Sequence, residues 1–484
     1  MEDPHPPVGR RVSLLKTLRS FLGLEGRSFQ DVDPHPLLSR SVLSRRLGGV
    51  MGQRKAWLSP AWAYILASLS WLVCMTRQIP CHQSLNNTNP DRFSWMCYTD
   101  ITALYFRAET SLGQVAQVHG GIPYVNAVWE YPVLTGYFAT ISNFIASLLG
   151  ADLSSEITTT QAYVNTEIYF SVSAVGLFIC WLWLISTMMR IAGDRPFIIY
   201  GLALSPLVMT TGLINWDLLV VALTVAGLAA WREGKPVWAG LWWGLGIAAK
   251  LYPLVIVGAL IVLCVRKGAW KTPVTRNWFL MAGTTVAAWI LVNLPMMITN
   301  TEGWAYFYTY NYLSRGADLG SIFLATQLVG FPLSNPEFWS RAVMIFGYAA
   351  LAVVIFLARR TPSAAQIAYL AVGIFVVGNL VYSPQYVLWM LPLLILVRPY
   401  RLDMVIFTLS ELFYFVLIWR YLAGAHLSLG LGTVPWLYVL AILVRIGVSV
   451  WLMYRVVRDV LHREQLPHVS SDPRMGSRTV GWER

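Results

Sequence analysis

The chain has 484 residues, of which 56% are hydrophobic and 12% are charged, and its formal net charge is +12. A composition this apolar is typical of a polytopic membrane protein. Lys and Arg gather in the two terminal regions and in short loops between apolar runs, which is the distribution that the positive-inside rule describes. The positive charge therefore indicates membrane orientation and contact with anionic lipid, and we expect no nucleic-acid partner.

The ends of the chain differ from its middle. About residues 1–56 combine Pro and Ser with scattered Lys and Arg, and they lack the basic segment, apolar segment and cleavage site of a signal peptide. We expect this region to be a retained, largely disordered cytoplasmic tail, and we predict a second cytoplasmic tail over 459–484. Residues 57–458 should form one membrane domain, with a first external loop over 77–167.

Apolar runs predict the helices that span the membrane. Eight are long, at about 58–76, 168–189, 196–212, 278–297, 338–358, 365–382, 402–420 and 434–457. Four are shorter, at 216–231, 236–249, 251–265 and 385–397. The sequence therefore predicts an all-α bundle of 12 spans with both termini in the cytoplasm. We expect the short spans to end at a water-filled cavity, where irregular backbone is tolerated.

One further run, 132–150, decides the topology. If it crossed the membrane, the acidic loop 151–167 would lie in the cytoplasm and Arg190 and Arg195 would lie outside, against the charge bias. We therefore interpret it as an amphipathic or juxtamembrane helix at the external interface. The loops that then face outside carry Asp100, Glu130, Asp217, Lys250, Arg315 and Gln385.

The first external loop contains the segment that best fits chemistry, from WMCYTDITALYFRAE to GGIPYVNAVWEYP. It holds carboxylates at Asp100, Glu109 and Glu130, a guanidinium at Arg107 and several aromatic side chains. A carboxylate with aromatic walls at the water interface can take a proton from a hydroxyl while the rings hold a sugar. An ordinary amphipathic external loop would explain the same residues.

Two further motifs add positive charge on the external side. GLGIAAKLYPL at 244–254 interrupts an apolar run with Lys250 and Tyr252. A Lys inside an apolar run is costly and indicates a functional site, although snorkelling to the interface is the alternative. YNYLSRGADLGSIF at 310–323 offers Arg315, whose planar fork suits a phosphate.

Two polar interruptions complete the external set. NLVYSPQYVLWMLPLL at 379–394 places Gln385 and Tyr386 between two apolar runs, which turn chemistry alone also explains. INWDLL at 214–219 places Asp217 at the start of a helix, where it is either a site residue or an N-terminal cap. The predicted topology brings all these motifs to one side of the membrane, and this convergence favours a common site.

Cysteine usage leaves two alternatives for the first external loop. Of the five cysteines, only Cys81 and Cys97 fall in that loop, and they form either a disulfide, if that side is oxidising, or two free thiols. The sequence has no CxxC, HExxH or EF-hand pattern. We therefore expect no dedicated metal site.

The motifs together resemble a known enzyme family. TDITALYFRAE followed by WEYPVLTGYF is similar to the first-loop signature of integral-membrane GT-C glycosyltransferases, in which an acid follows the first helix and an acid-Tyr-Pro element opens a juxtamembrane helix. With GLGIAAKLYPL and SPQYVLWMLPLL, their order and spacing over about residues 58–457 resemble glycosyltransferase family 87, which includes actinobacterial mannosyltransferases that use polyprenol-phosphate mannose. The resemblance implies a GT-C-type bundle of about 12 transmembrane helices, with juxtamembrane helices in the first external loop.

The resemblance also implies a reaction. A sugar, with mannose expected, would pass with inversion from a polyprenyl-phosphate donor to a lipid-linked or envelope-glycan acceptor on the external face of the plasma membrane. Asp100 would be the general base. The leaving group is already a phosphate, so it needs cations rather than a general acid, and the candidates are Lys250, Arg315 and Arg107.

The remaining implied roles concern the substrate path and the cofactor. The residues that would line the path are Glu130, Tyr131, Tyr252, Gln385, Tyr386 and Asp217. Asp100 stands alone in the first loop, where metal-dependent relatives have an adjacent pair of acids, so the resemblance implies no metal cofactor.

Three alternatives remain beside this interpretation. In the first alternative, the donor is decaprenyl-phosphate arabinofuranose, and arabinofuranose is transferred in place of mannose. A lipid or sugar transporter, or a flippase, is the alternative from another class, but transporters tend to have internal repeats, and no convincing repeat relates the two halves of this sequence. The third alternative is a noncatalytic membrane scaffold.

Overall fold

The computed structural model describes residues 60–82, 92–107, 114–127, 129–192, 196–266, 273–311, 315–359, 361–430 and 432–462. The N-terminal tail predicted over 1–56 lies outside these residues, as does most of the tail predicted over 459–484. Glu109 and Arg195 also lie outside them.

The described residues form helices and no strand; a single isolated bridge joins Pro123 and Ala127. The α-helices, in chain order, are α1 Pro60–Thr76, α2 Ile79–His82, α3 Asp100–Ala103, α4 Val133–Leu148, α5 Thr159–Ala192, α6 Pro196–Ala203, α7 Pro206–Thr211, α8 Asp217–Arg232, α9 Pro236–Ala249, α10 Pro253–Arg266, α11 Pro273–Thr299, α12 Thr301–Thr309, α13 Ile322–Leu328, α14 Pro336–Leu357, α15 Ala364–Gly378, α16 Val387–Val397, α17 Arg401–Leu422 and α18 Trp436–His462. Short 3-10 turns lie at Gln117–His119 and Pro384–Tyr386.

The helices confirm an all-α membrane protein. Within the described ranges, five helices are long and apolar enough to cross a membrane, namely α5, α11, α14, α17 and α18. The four short predicted spans are helices α8, α9, α10 and α16, with 16, 14, 14 and 11 residues. The count of 12 spans stays a prediction.

Two helices differ from the apolar runs in the sequence. The run 196–212 was predicted as one span, but the structure divides it into α6 and α7, because a residue before proline avoids the helical region and Pro206 lacks an N–H group. The Ser205 hydroxyl then caps α7 by accepting a hydrogen bond from the Leu207 N–H, at 3.3 Å. Helix α5 begins at Thr159, inside the predicted external loop, and its 34 residues extend over about 50 Å.

Short helices form the centre of the bundle. Thirteen of the 16 residues of α8 and ten of the 11 residues of α16 are buried. Helix α9 packs between α8 and α11. A Cβ at Gly240 would lie 2.3 Å from the Met281 carbonyl oxygen, and one at Gly244 would lie 2.5 Å from that of Thr285. These two glycines therefore permit the close approach of α9 and α11.

Helix α4 corresponds to the ambiguous run 132–150. It packs against α5, α9 and α11. Its opposite face exposes apolar side chains, including Ile141, Phe144 and Leu148. This is the two-sided pattern of a helix that contacts protein on one side and lipid on the other. Its placement at the external interface stays a prediction.

Two links fix the start of the first predicted external loop. A disulfide joins Cys81 and Cys97, whose Cα atoms are 5.9 Å apart. The Arg77 guanidinium donates a hydrogen bond to the carbonyl oxygen of Met96. Together they tie the end of α1 and the short α2 to Met96 and Cys97, four and three residues before Asp100.

We predict that maleimide reagents label neither Cys81 nor Cys97 in the purified protein in nanodiscs until a reductant is added, because both sulfurs are bonded. Mass spectrometry of the labelled peptides is the measurement. The Cys97→Ser variant is the control: it leaves Cys81 unpaired and half-buried, and labelling without reductant is expected. Labelling of both cysteines in untreated wild-type protein would contradict the disulfide.

Candidate active site

A cavity of about 570 Å³ lies where the short central helices begin and end. Its wall includes the residues just before α8, those between α9 and α10, and those that open α16. The loops that contain α3 and that follow α12 complete it. Its charged lining residues are Arg92, Asp100, Glu130, Lys250, Arg315 and Asp318.

Asp100 opens the short helix α3, half-buried in the cavity wall. The Thr99 hydroxyl caps this helix by accepting from the Ile101 N–H, at 3.2 Å. The Asp100 N–H donates to the Ile214 carbonyl oxygen, at 2.7 Å, which joins the loop to the segment before α8. The carboxylate is thereby fixed at the boundary between cavity and protein.

Two tyrosine hydroxyls donate hydrogen bonds to the Asp100 carboxylate, one from Tyr131 and one from Tyr98. Burial raises the pKa of Asp100, whereas these two hydrogen bonds and the charge of Lys250 act in the opposite direction. The net direction is upward. Asp100 is therefore a stronger base than an ordinary surface aspartate.

Asn215 connects the base to the central helix. Its side-chain amide donates to the Tyr131 hydroxyl, at 3.2 Å, and its side-chain oxygen accepts from the Asp217 N–H, at 2.9 Å. Asn215 lies in the motif INWDLL, but the sequence predicted no role for it. Its partner Tyr131 is 84 positions away in the chain, so no local pattern could reveal the contact.

Lys250 and Asp217 form an ion pair, with the ammonium 2.7 Å from Oδ1. The other carboxylate oxygen accepts from the Trp389 indole N–H, at 2.9 Å. Asp217 is the first residue of α8, and Trp216 is the N-cap residue, so the capping alternative is wrong. Asp217 is buried behind Lys250 and is not among the cavity-lining residues.

Aromatic rings surround the Lys250 ammonium. It lies 4.9 Å from the ring centre of Tyr131, 5.4 Å from that of Tyr386 and 5.3 Å from that of Trp389. Tyr386, Trp389 and Tyr252 stack in series, with centroid separations of 3.8 and 4.4 Å. The cage holds the ammonium toward the cavity and leaves it little freedom to leave Asp217.

Arg315 provides a second cation in the cavity wall. Its guanidinium donates to Asn311 and Asp318, each at 3.1 Å, and its buried Nε has no hydrogen-bond partner among the described residues. The charged neighbours of the Tyr386 hydroxyl include both Lys250 and Arg315. Arg315 and Lys250 are therefore both close to the Tyr386 hydroxyl in the cavity wall.

The segment after Arg315 is held against the segment before α16. The Asp318 N–H donates to the Leu380 carbonyl, at 2.9 Å, and the Tyr382 N–H donates to the Leu319 carbonyl, at 3.0 Å. Gly320 has φ +77°, and a Cβ there would lie 2.2 Å from the Tyr382 carbonyl oxygen. Only glycine fits this position without moving the Arg315 segment.

A buried arginine, Arg445, holds the backbone of the segment before α16. Arg445 donates to Glu411, at 2.8 Å, and to the carbonyl oxygens of Tyr382 and Ser383, at 2.5 and 3.1 Å. Its guanidinium lies between the rings of Tyr382 and Tyr414, 3.5 and 4.1 Å from their centres. Sequence reasoning missed Arg445 and Glu411, although an ionisable residue inside an apolar run is the signal that identified Lys250.

Glu130 and Arg107 form an ion pair at the edge of the site. Glu130 lines the cavity, whereas Arg107 does not. Gln385 also lines it, and its buried side-chain oxygen has no hydrogen-bond partner in the described part of the chain. The predicted site residues that the structure brings together around the cavity are Asp100, Glu130, Tyr131, Lys250, Tyr252, Arg315, Gln385 and Tyr386.

Comparison with known proteins gives one family. Residues 157–384 match the model of glycosyltransferase family 87. This region belongs to that family. The match confirms the resemblance drawn from the motifs, and it identifies glycosyl transfer as the activity. It covers Asp217, Lys250 and Arg315, whereas Asp100 precedes it. No curated protein matches the chain.

The hydrogen bond from Tyr131 gives a pH prediction. Because a donor to an ionised carboxylate favours the ionised form, the Tyr131→Phe variant should have a higher Asp100 pKa than the wild type. If Asp100 must be ionised for transfer, activity falls as pH drops through this pKa. We expect the acid limb of the kcat/KM profile to move to higher pH in Tyr131→Phe. An acid limb at the same pH in both proteins would separate Asp100 from the titration.

Proposed function

We propose that the protein transfers a hexose, mannose by the family resemblance, from a polyprenyl-phosphate donor to a hydroxyl of an envelope glycan or glycolipid. The observation that most directly supports this proposal is the arrangement of charge in the cavity. A half-buried carboxylate with raised pKa lines the same cavity as the two cations Lys250 and Arg315. These are the two groups that a phosphate-leaving transfer needs.

Asp100 acts as the general base in this proposal. The acceptor hydroxyl attacks the anomeric carbon, the C–O bond to the phosphate breaks, and the hydroxyl proton passes to the Asp100 carboxylate. The products are the new glycoside and the polyprenyl phosphate. A single displacement of this kind inverts the anomeric configuration. Tyr131 and Tyr98 orient the carboxylate by donating to it.

Lys250 and Arg315 stabilise the leaving phosphate. Negative charge grows on the bridging oxygen as the bond breaks, and preorganised cations lower the energy of that state. Both side chains line the cavity, and that of Lys250 is 16% exposed and that of Arg315 30% exposed. Side-chain cations thus supply the electrostatic role, and the proposed reaction is independent of a metal ion.

The setting of the reaction is also part of the proposal. We place the cavity on the external face of the plasma membrane and both termini in the cytoplasm, from the charge bias of the loops. A lipid-carried donor would then enter the cavity from the outer leaflet. The collection of polar residues in one cavity favours a site fed by lipid over a transport path across the membrane.

The test is transfer by the purified protein in nanodiscs, with polyprenyl-phosphate mannose and polyprenyl-phosphate arabinose offered separately and a membrane lipid extract as acceptor. Product from the mannose donor is expected, with kcat reduced about 100- to 10,000-fold in Asp100→Asn, because the amide cannot accept the proton. Asp152→Asn is the matched control, since Asp152 does not line the cavity.

Three outcomes would contradict parts of the proposal. Transfer from arabinose alone would replace mannose, and full activity of a folded Asp100→Asn variant would remove the base. Absence of product from both donors would contradict the polyprenyl-phosphate chemistry itself.

A further inference from the structure

Three aromatic rings line the part of the cavity next to Asp100. We call Phe93, Tyr98 and Trp419 the aromatic platform. Phe93 lies 5.6 Å from Tyr98 and 6.0 Å from Trp419, and Tyr98 lies 5.7 Å from Trp419, between ring centroids. The Arg92 guanidinium lies 5.4 Å from the ring centres of both Phe93 and Tyr98. All four residues line the cavity.

The aromatic platform and the Lys250 cage contact the base through two different tyrosines. The Tyr98 hydroxyl bonds to Asp100, and its other charged neighbours are Arg92 and Glu130. The second tyrosine, Tyr131, links Asp100 to the Lys250 cage. Asp100 is therefore reached from the platform through Tyr98 and from the cations through Tyr131.

Stereochemistry places the base beside the acceptor. In an inverting displacement the acceptor hydroxyl attacks from the face opposite to the leaving group, so the base lies on the acceptor side. Tyr98 bonds to that base and belongs to the aromatic platform, so the platform lies beside the place where the acceptor hydroxyl must bind. This step depends on the proposed function, which supplies the inverting transfer.

We propose that the aromatic platform binds a sugar ring of the acceptor, so that the accepting hydroxyl belongs to a glycoside. Aromatic faces carry negative potential, and the axial C–H groups on one face of a pyranose complement them. Trp419 is 3% exposed and packs against Phe93 and Tyr98, so it supports the two rings that the sugar would contact. A plain alkyl alcohol or a serine side chain offers no ring to stack.

The platform is also held rigidly enough to select a ring. Trp419 packs edge-on against Phe415, at 5.9 Å between centroids, within α17. The Cys97 N–H donates to the Arg92 carbonyl oxygen, at 3.0 Å, which closes the segment that presents Phe93. The disulfide at Cys97 anchors that segment. The rings therefore need little ordering when a sugar binds.

Binding can be tested without any transfer. Saturation-transfer NMR would be recorded for methyl α-D-mannopyranoside and methyl α-D-glucopyranoside with the protein in nanodiscs. We expect transfer to the ring C–H protons, a reduction in affinity of up to about tenfold in Phe93→Ala, and recovery in Phe93→Tyr. Phe346→Ala is the matched control, because that ring is 74% exposed and lines no part of the cavity.

Kinetics then separate acceptor from donor. With the donor that supports transfer, octyl glycosides should be used at least tenfold better than octan-1-ol or a serine-containing peptide. Phe93→Ala should raise the KM for the glycoside and leave the KM for the donor unchanged. Preserved disulfide and melting temperature in Phe93→Ala would show that the variant is folded.

Each proposal fails in a different way. Absence of glycoside binding, equal binding by wild type and Phe93→Ala, or equal use of octan-1-ol and glycoside would overturn the platform assignment. Glycoside binding that depends on Phe93, together with no transfer from either polyprenyl-phosphate donor, would support the platform and contradict the proposed reaction.

Discussion

The ion pair between Lys250 and Asp217 is the interaction on which the site depends most. It lies where α8 begins and α9 ends, with the Asp217 side chain 2% exposed and that of Lys250 16%. Loss of one partner would leave a nearly buried charge, which is strongly destabilising. Because Trp389 at the start of α16 completes the pair, one contact joins three central helices and points a cation into the cavity. The same interaction therefore serves packing and chemistry.

The other parts of the cavity wall are held by other contacts. The wall with Asp100 is tied to α1 by the disulfide at Cys97 and to the segment before α8 by a backbone hydrogen bond. The wall with Arg315 is held by Gly320 and by the buried guanidinium of Arg445. Each reacting group thus sits on an irregular segment that several long-range contacts fix. Where helices are interrupted, such contacts replace regular secondary structure in holding the side chains of a site in position.

The sequence predicted those site residues that are energetically costly where they stand in the chain. Lys250 and Gln385 interrupt apolar runs, and a polar interruption in a membrane helix is visible because it is expensive. Asn215 lies in the motif INWDLL and Trp389 in NLVYSPQYVLWMLPLL, but the sequence predicted no role for either. Their hydrogen-bond partners are 84 and 172 positions away in the chain, so no local pattern indicates these contacts. Trp419 had no signal, because an aromatic residue in an apolar helix fits a lipid-facing or core position equally well. The apolar run in the sequence begins at residue 168, whereas α5 begins at Thr159, because its first turns are polar and give no apolar signal. A helix once formed extends through such polar residues.

The most direct test of the account is a structure of the protein in nanodiscs with polyprenyl phosphate bound. We expect the phosphate within hydrogen-bond distance of both Lys250 and Arg315, with the Asp100 carboxylate not in contact with it and the aromatic platform unoccupied by the lipid. A phosphate bound beside Arg92 on the platform, or outside the cavity, would contradict the assignment of the cations and the platform. It would require another cation for the leaving group and another place for the acceptor.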